Sequence, residues 1–218
     1  MLQSPLFMRI FAIMNYLAHA YLSFENPEML VGNMISDFVK GKKKYDFLPG
    51  IQQGIALHRA IDGFTDSHEI TRQAKAYFRK DYGLYAGPLV DVVYDHFLAN
   101  DPKQFPGEML ASFAEKTYSQ LGPFRAVFPE KFARMFPYMQ SQNWLYHYRF
   151  KEGIVNSFAG LARRAAYMSA PAMAGRILEA SYLELGACYT AFFPALKDFA
   201  FNFLQQLLRD PDSFNFVG

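Results

Sequence analysis

The chain has 218 residues, of which 51% are hydrophobic and 17% aromatic; this is enough for one domain with a substantial core and excludes a disordered protein. The net charge of +2 gives no indication of nucleic-acid binding, and the single cysteine, Cys188, excludes a disulfide framework and favours a cytoplasmic location. The small net charge leads us to expect no nucleic-acid partner. Because no apolar run is long enough to span a bilayer, we expect no membrane partner either.

Apolar residues recur along the chain with the helical period, and glycine, proline and asparagine cluster between the periodic segments. Asn26 before Pro27, for example, has the pattern of a helix N-cap. The longest periodic segment is expected to bend near Gly63. The predicted helices span 15–24, 27–39, 48–80, 84–100, 107–121, 128–149, 151–167, 171–185 and 186–209.

The fold class predicted from these segments is all-α, in the form of a single-domain helical bundle. We expect this domain to occupy residues 14–210, because Met14 directly precedes NYLAHAYL, the beginning of the first predicted helix. Residues 1–13 are then an N-terminal extension, and residues 211–218 a C-terminal tail.

The first two predicted helices each place one ionisable side chain among apolar residues. In NYLAHAYL, Asn15 and His19 are four residues apart and share a helix face. In GNMISDFVKG, Asp37 comes at the end of an otherwise apolar helix. Taken alone, His19 is expected to be a hydrogen-bonded core residue and Asp37 a surface or capping group.

The third predicted helix contains GIALHRAIDGFTD, in which His58, Asp62 and Asp66 follow one another at four-residue steps. They share a face with Ile51 and Ile55, so an inward apolar stripe becomes ionisable halfway along the helix. Either the helix emerges into water here, or a histidine and an aspartate are hydrogen-bonded inside the core, or these groups hold a common ligand.

The fourth predicted helix, with LVDVVYDHFL, is apolar nearly all round and should therefore be central. It nevertheless carries Asp91, Asp95 and His96. A buried carboxylate without a partner costs several kcal/mol or becomes protonated. A divalent cation is a partner that several carboxylates and imidazoles can share.

Taken together, these ionisable groups on apolar helices predict a metal site. Because the set contains no thiolate, it favours Mn²⁺, Fe²⁺ or Mg²⁺ over a structural Zn²⁺. Inward His and Asp ligands in a helical bundle suit metal-assisted hydrolysis. The candidate metal ligands are His19, Asp37, His58, Asp62, Asp95 and His96.

Other hydrolase and nucleotide-binding signatures are absent from the sequence. There is no G-x-S-x-G nucleophile elbow and no G-x-x-x-x-G-K-[ST] phosphate loop. His68-Glu69 begins like H-E-x-x-H, but Arg72 stands where the second histidine should be, which excludes that zinc-protease motif.

Five short motifs follow one another along the chain: N-Y-L-A-H at 15–19, G-N-x-x-x-D-F-V-K-G at 32–41, H-R-x-I-D-x-x-T-D at 58–66, D-V-x-x-D-H-F-L at 91–98 and W-L-x-x-Y-R at 144–149. In this order they resemble the bacterial acyl carrier protein phosphodiesterase family, which is itself similar to the HD-domain metal phosphohydrolases. The order of the adjacent pair Asp95-His96 is the reverse of that in an ordinary HD site, so the resemblance implies an HD-domain-like variant.

The resemblance implies an enzyme that hydrolyses the phosphodiester between the serine of holo acyl carrier protein and 4′-phosphopantetheine. The products would be apo carrier protein and 4′-phosphopantetheine, and Mn²⁺ would be the metal, with Mg²⁺ or Fe²⁺ as alternatives. In this interpretation Asp62 acts within the metal shell, while Asp66 or Asp91 orients a ligand or accepts a proton.

Acyl carrier proteins are small and acidic, and the sequence KGKKK follows Asp37 directly. Complementary charge in this loop would steer such a partner to the site, the alternative being a solvated loop. Arg59 and Arg149 are candidates to hold phosphate oxygens, or else form surface ion pairs. The lysines concerned are Lys40, Lys42, Lys43 and Lys44.

Two other functions stay open at this point. One is an HD-like phosphohydrolase that acts on a small nucleotide. The other is a helical interaction protein that has lost the metal. The oligomeric state does not follow from the sequence.

Overall fold

The computed structural model describes residues 15–164 and 171–209. Both predicted flanking segments, 1–13 and 211–218, lie outside the described residues. Within the described ranges the regular structure is helical, with eleven α-helices and short 3₁₀ turns and without a β-strand, which confirms the all-α prediction for this part of the chain. In this same part, no helix combines the length and the apolar character that crossing a membrane requires.

The helices are numbered α1 to α11 in chain order. Single 3₁₀ turns or loops connect most of them. Their bounds are Tyr16–Tyr21, Pro27–Ile35, Pro49–Ser67, Glu69–Tyr82, Ala86–Ala99, Met109–Leu121, Glu130–Ser141, Trp144–His147, Lys151–Arg164, Pro171–Ala180 and Tyr182–Arg209.

The long helix predicted over 48–80 is two helices, and the break lies at His68 and not near Gly63. The backbone of His68 is extended, with a ψ of 137°, and its Nδ1 accepts a hydrogen bond from the N–H of Ile70 at 3.2 Å. The imidazole therefore serves as the N-cap of α4, a role for which propensity gives little warning because Ser, Thr, Asp and Asn are the usual caps.

The segment predicted as one helix over 128–149 is also divided. Asn143 takes the left-handed conformation, with a φ of 45°, and separates α7 from α8. Asparagine tolerates this conformation better than most residues, so a single residue is enough to end α7. Further along, the chain breaks at Ser181 and not at Gly186.

Helices α2 and α3 pack at very short range because each contributes a glycine to the crossing. A Cβ atom on Gly32 would lie 2.1 Å from the carbonyl oxygen of Ile51, and one on Gly54 would lie 2.3 Å from that of Met29. No side chain fits there unless the helices move apart. This close approach brings the residue after Gly32, Asn33, within hydrogen-bonding distance of His58 on α3.

Helix α5 is central, as its all-round apolar sequence predicts. It packs against α1, α4, α9 and α11, and Leu89, Val90, Val92 and Val93 are at most 1% exposed. Aromatic side chains of α11 cover one of its faces, for example Phe192 against Tyr94 with ring centroids 5.2 Å apart. Every polar group on the inner faces of α5 is therefore in a low-dielectric setting and needs a partner.

Candidate metal centre

Two helices, α1 and α3, bring two histidines and an aspartate together. His19 comes from α1, and His58 and Asp62 come from α3. The Nε2 atoms of His19 and His58 lie 3.2 Å from Oδ1 and Oδ2 of Asp62, respectively. The two imidazoles are stacked, with centroids 3.9 Å apart and an angle of 17° between their planes. The carboxylate of Asp62 thus faces the Nε2 atoms of two stacked imidazoles.

Asp37, in the 3₁₀ turn Ser36–Phe38 that follows α2, lies at the edge of this cluster. Its Oδ1 is 3.4 Å from Nε2 of His58. The side chains of Asp37 and Asp62 are 38% and 46% exposed, whereas both imidazoles are almost fully buried. The cluster therefore has a closed imidazole side and an open carboxylate side, through which a solute can approach.

The Nδ1 atoms of both imidazoles are hydrogen-bonded to one residue. Nδ1 of His19 lies 2.7 Å from Oδ1 of Asn33, and Nδ1 of His58 lies 2.7 Å from the carbonyl oxygen of Asn33. The Nε2 atoms, in contrast, are buried and have no hydrogen-bond partner of good geometry. Buried polar atoms are usually hydrogen-bonded, so this pair indicates a ligand that both nitrogens could share.

The residues present fit a divalent cation. His19, His58 and Asp62 each offer one donor atom, and these donors lie within 4.8 Å of one another. Imidazole nitrogen and carboxylate oxygen are ligands for Mn²⁺ and Fe²⁺, and the second ring nitrogen of each histidine is already fixed, as is typical of metal-binding histidines. Asp37 lies outside this set of mutually close donors, although its carboxylate faces His58.

The pKa shifts within the cluster also favour a positive charge at this position. Burial acts against a charged imidazole, but the adjacent carboxylates of Asp37 and Asp62 outweigh it and raise the pKa of His58 to about 10. Burial and the charge on His58 lower the pKa of His19. Burial would raise the pKa of Asp62, but its contacts with both histidines lower it. The cluster thus holds one positive charge between its carboxylates, in a place where a cation fits.

Asp91 and Asp66 lie beside the cluster and not within its donor set. Burial, together with the charges of Asp62 and Asp66, raises the pKa of the half-buried Asp91 to about 8. Asp66 is exposed, and its Oδ1 accepts a hydrogen bond from Nζ of Lys75 at 2.6 Å. Lys75 is 9% exposed, so a buried ammonium group lies next to Asp66 on this side of the cluster.

Asp95, a predicted ligand, has backbone partners in the structure. Asp95 is fully buried, and its two carboxylate oxygens accept hydrogen bonds from the backbone N–H groups of Leu17 at 2.9 Å and Ala18 at 2.8 Å. These are N–H groups of the first turn of α1, which have no partner within the helix. Asp95 therefore caps α1 from a neighbouring helix, although burial raises its pKa against the effect of these two N–H groups.

His96, also a predicted ligand, has a hydrogen-bond partner at each of its ring nitrogens. Nδ1 lies 2.7 Å from the carbonyl oxygen of Tyr148, and Nε2 lies 2.8 Å from the hydroxyl of Tyr182. Burial lowers the pKa of His96, which keeps the ring neutral and able to accept the tyrosine proton. His96 ties α5 to the end of α8 and the start of α11.

The predicted substrate-binding cations lie in two places. The lysine segment forms the 3₁₀ helix Gly41–Asp46 just beyond Asp37, with Lys40, Lys42 and Lys43 exposed. Nζ of Lys44 lies 5.0 Å from the centre of the Tyr45 ring.

Arg59 follows His58 and donates to the carbonyl oxygen of Val39, 3.1 Å away. The guanidinium of Arg149 instead donates to the Tyr146 hydroxyl and lies over the rings of Tyr146 and Phe150.

Two residues of this region were not among the predicted site residues. Asn33 stands in the motif G-N-x-x-x-D and is the one polar side chain among the buried residues of α2, and a polar residue in such an apolar stretch is a signal that could have identified it. Lys75 gives no comparable signal, because it belongs to a helix with several charged residues and is buried only through the position of its neighbours.

The sequence was compared with families and proteins that are already known. The family model described as acyl carrier protein phosphodiesterase matches residues 14–196. Proteins of that name from Photorhabdus laumondii and Yersinia enterocolitica are each 33% identical to the chain, over 87% and 84% of it and over 96% and 95% of their own lengths. No solved structure matches, so the HD-domain-like character stays a prediction. The chain belongs to the acyl carrier protein phosphodiesterase family.

Proposed function

We propose that the protein hydrolyses the phosphodiester that joins 4′-phosphopantetheine to the serine of holo acyl carrier protein, and releases apo carrier protein and 4′-phosphopantetheine. Membership of the family supports the substrate. The observation that carries a hydrolytic site in this chain is the pair of buried Nε2 atoms that face a shared carboxylate and have no hydrogen bond of good geometry. A cytoplasmic location, where carrier proteins are used, stays a prediction.

His19, His58 and Asp62 would hold the metal, with Asp37 as a further ligand. We propose Mn²⁺, with Mg²⁺ or Fe²⁺ as alternatives, because the donors are imidazoles and carboxylates without a thiolate. When bound, a divalent cation supplies positive charge to phosphoryl oxygens and makes water a stronger acid. The half-exposed carboxylates leave the open side on which a phosphodiester can approach.

Asp91 and Asp66 have separate roles in this proposal. Asp91 is half-buried beside the cluster, and its raised pKa of about 8 suits a carboxyl group that takes up and returns a proton near neutral pH. Asp66 holds the ammonium of Lys75 at the same side of the site. Lys75 offsets part of the negative charge of the carboxylates, so that an anionic phosphodiester is less strongly repelled.

The lysine segment and Arg59 would bind the substrate. Lys40, Lys42 and Lys43 are exposed immediately beyond Asp37, so an acidic carrier protein would be steered towards the open side of the cluster. Arg59 is adjacent to His58 and can exchange its bond with the Val39 carbonyl for one with a phosphate oxygen. Arg149 is not included, because its guanidinium is already packed on aromatic rings.

The decisive experiment is incubation with holo acyl carrier protein and Mn²⁺, followed by intact-mass analysis of the carrier protein. We expect the carrier to lose the mass of its phosphopantetheine group, and the His58→Ala variant to leave it intact. Hydrolysis of a small nucleotide without any change in the carrier protein would support the nucleotide phosphohydrolase instead. If the purified protein binds no divalent cation, the interaction protein becomes the better interpretation.

The docking role of the lysines has its own test. Charge reversal of Lys40, Lys42 and Lys43 to glutamate should lower kcat/KM by about tenfold or more at low salt, and the difference should shrink as salt rises. A matched variant reverses Lys80, Lys103 and Lys131, which are also exposed but lie outside this segment. Equal losses in both variants would contradict a specific docking surface.

A further inference from the structure

Asn33 is a fully buried polar residue that lies between α1 and α3 and has a partner for each of its side-chain atoms. Its Oδ1 faces Nδ1 of His19 at 2.7 Å. Its Nδ2 donates to the carbonyl oxygen of His19 at 2.8 Å and to Oγ of Ser23 at 3.1 Å. Oγ of Ser23 in turn donates to the same His19 carbonyl at 2.8 Å. Asn33 thus holds both the ring and the main chain of His19.

These contacts fix the orientation of the amide and, through it, the tautomer of His19. The carbonyl oxygen of His19 can only accept, so the group of Asn33 that faces it must be the NH₂. The amide oxygen is then the atom that faces the imidazole, and it can only accept as well. Nδ1 of His19 must therefore carry a proton, which leaves the lone pair of a neutral ring on Nε2.

The same residue fixes His58 by a different atom. Nδ1 of His58 lies 2.7 Å from the main-chain carbonyl oxygen of Asn33, which again can only accept. The proton is thereby held on Nδ1, and Nε2 is directed towards Asp37 and Asp62. One residue therefore sets both rings, His19 through its side chain and His58 through its backbone.

We propose that Asn33 is the positioning residue of the metal centre, which keeps both imidazoles in the Nδ1–H form and directs both Nε2 atoms towards one cation. This rests on the proposed function, because it assigns a partner to the ligands of that site. A purely structural asparagine would be satisfied by any pair of neighbours. Here the two neighbours are the two imidazoles whose Nε2 atoms face the Asp62 carboxylate without a hydrogen bond of good geometry.

Asn33 contacts His19 through its side chain and His58 through its main chain, so one substitution can test the two contacts separately. In Asn33→Leu the side-chain acceptor for His19 is lost, but the main-chain acceptor for His58 is kept. Nitrogen-15 NMR of the metal-free protein, with ring signals assigned from His19→Gln and His58→Gln, should show His19 shifting from the Nδ1–H form towards a mixture of tautomers. His58 should keep its Nδ1 proton. Mn²⁺ affinity, measured by calorimetry, should fall by about 10- to 100-fold.

Two further variants separate positioning from folding. Asn33→Asp keeps an oxygen facing His19, so His19 should keep its Nδ1–H form even if stability falls. Ser23→Ala removes a buried contact with Asn33 Nδ2 and touches neither ring. It should lower stability without changing the tautomer or reducing Mn²⁺ affinity more than about twofold.

Several results would overturn the proposal. An Nε2–H form of His19 in the wild-type protein would do so without any variant. Unchanged Mn²⁺ affinity in Asn33→Leu, or equal loss in Ser23→Ala, would also do so. These outcomes differ from failure of the proposed function, in which the wild-type protein leaves holo carrier protein intact although His19 has the expected tautomer.

Discussion

Two sets of histidine and aspartate have buried imidazoles, and they differ in how many of their polar atoms have partners. In the Asp95–His96 pair, both carboxylate oxygens and both ring nitrogens are hydrogen-bonded. In the cluster of His19, His58 and Asp62, both Nε2 atoms have no partner of good geometry. The residue types are the same, but the first set is complete within the fold and the second is not.

The difference shows how to separate a structural polar group from a functional one when both are buried. Burial of a histidine or aspartate requires compensation in either case. Asp95 and His96 obtain it from backbone groups and a tyrosine, and so they stabilise the arrangement of α1, α8 and α11 around α5. The cluster of His19, His58 and Asp62 obtains only part of this compensation. Its remaining donor atoms, the two Nε2 nitrogens and a carboxylate oxygen, lie close enough together for one cation to bind them.

The largest expected effect is on hydrolysis, from Asp62→Asn. The variant should lower turnover of holo carrier protein by at least roughly 100-fold, because the one carboxylate that both imidazoles face is neutralised. Because Asp37 also faces His58, the buried imidazole keeps one carboxylate partner and the variant should stay folded. Asp198→Asn, at an exposed position of α11, is the matched control. Turnover near the wild-type value would remove Asp62 from the site.

The second prediction concerns the other set. Asp95→Ala should lower the free energy of unfolding by about 2–4 kcal/mol, because it removes a helix cap and leaves two buried N–H groups without acceptors. Chemical denaturation measures this loss. The folded fraction should still bind Mn²⁺.

A matched control for that variant is Asn26→Ala, which removes an ordinary and partly exposed cap of α2. It should cost about 1 kcal/mol. If Asp95→Ala abolished Mn²⁺ binding in folded protein, the distinction between the two sets would fail.

The third prediction is a difference in pH dependence, measured by thermal unfolding of metal-free protein. The pKa of His58 in the folded state, about 10, lies above its ordinary value of 6.5, so its contribution is fully present below pH 6.5 and is lost as pH rises through 10. The pKa of His96 is lowered, so its contribution is present above pH 6.5 and is lost as pH falls.

The two contributions can be assigned with single variants. His58→Gln should remove the fall in stability on the alkaline side, and His96→Gln should reduce the fall on the acid side. The opposite assignment would mean that the carboxylates of Asp37 and Asp62 do not stabilise the charged form of His58.

The smallest expected effect comes from Tyr182→Phe, which removes the hydroxyl that lies 2.8 Å from Nε2 of His96. The free energy of unfolding should fall by about 1 kcal/mol, with turnover unchanged. A large loss of turnover would show that the Asp95–His96 pair is coupled to the reaction and is not purely structural.

The sequence allowed the all-α class, the central position of α5 and the pairing of His58 with Asp62 to be predicted, since each depends on the helical period alone. Helix ends were predicted less well. The breaks at His68 and Asn143 depend on local backbone conformations that residues of these types adopt only in certain settings. The partners of Asp95 and His96, which are backbone groups and a distant tyrosine, could not be predicted, because no spacing reveals them.

What the sequence by itself determined is which helix faces carry ionisable groups among apolar ones, because the geometry of a single helix is fixed by its period. Only the tertiary structure decided which of these groups have partners. That depends on how closely α2 approaches α3 at Gly32 and Gly54, and on which atoms of α1, α8 and α11 then come within reach. Hydrogen bonds act over about 3 Å, so such small displacements between helices decide whether a buried imidazole is structural or ready for a cation.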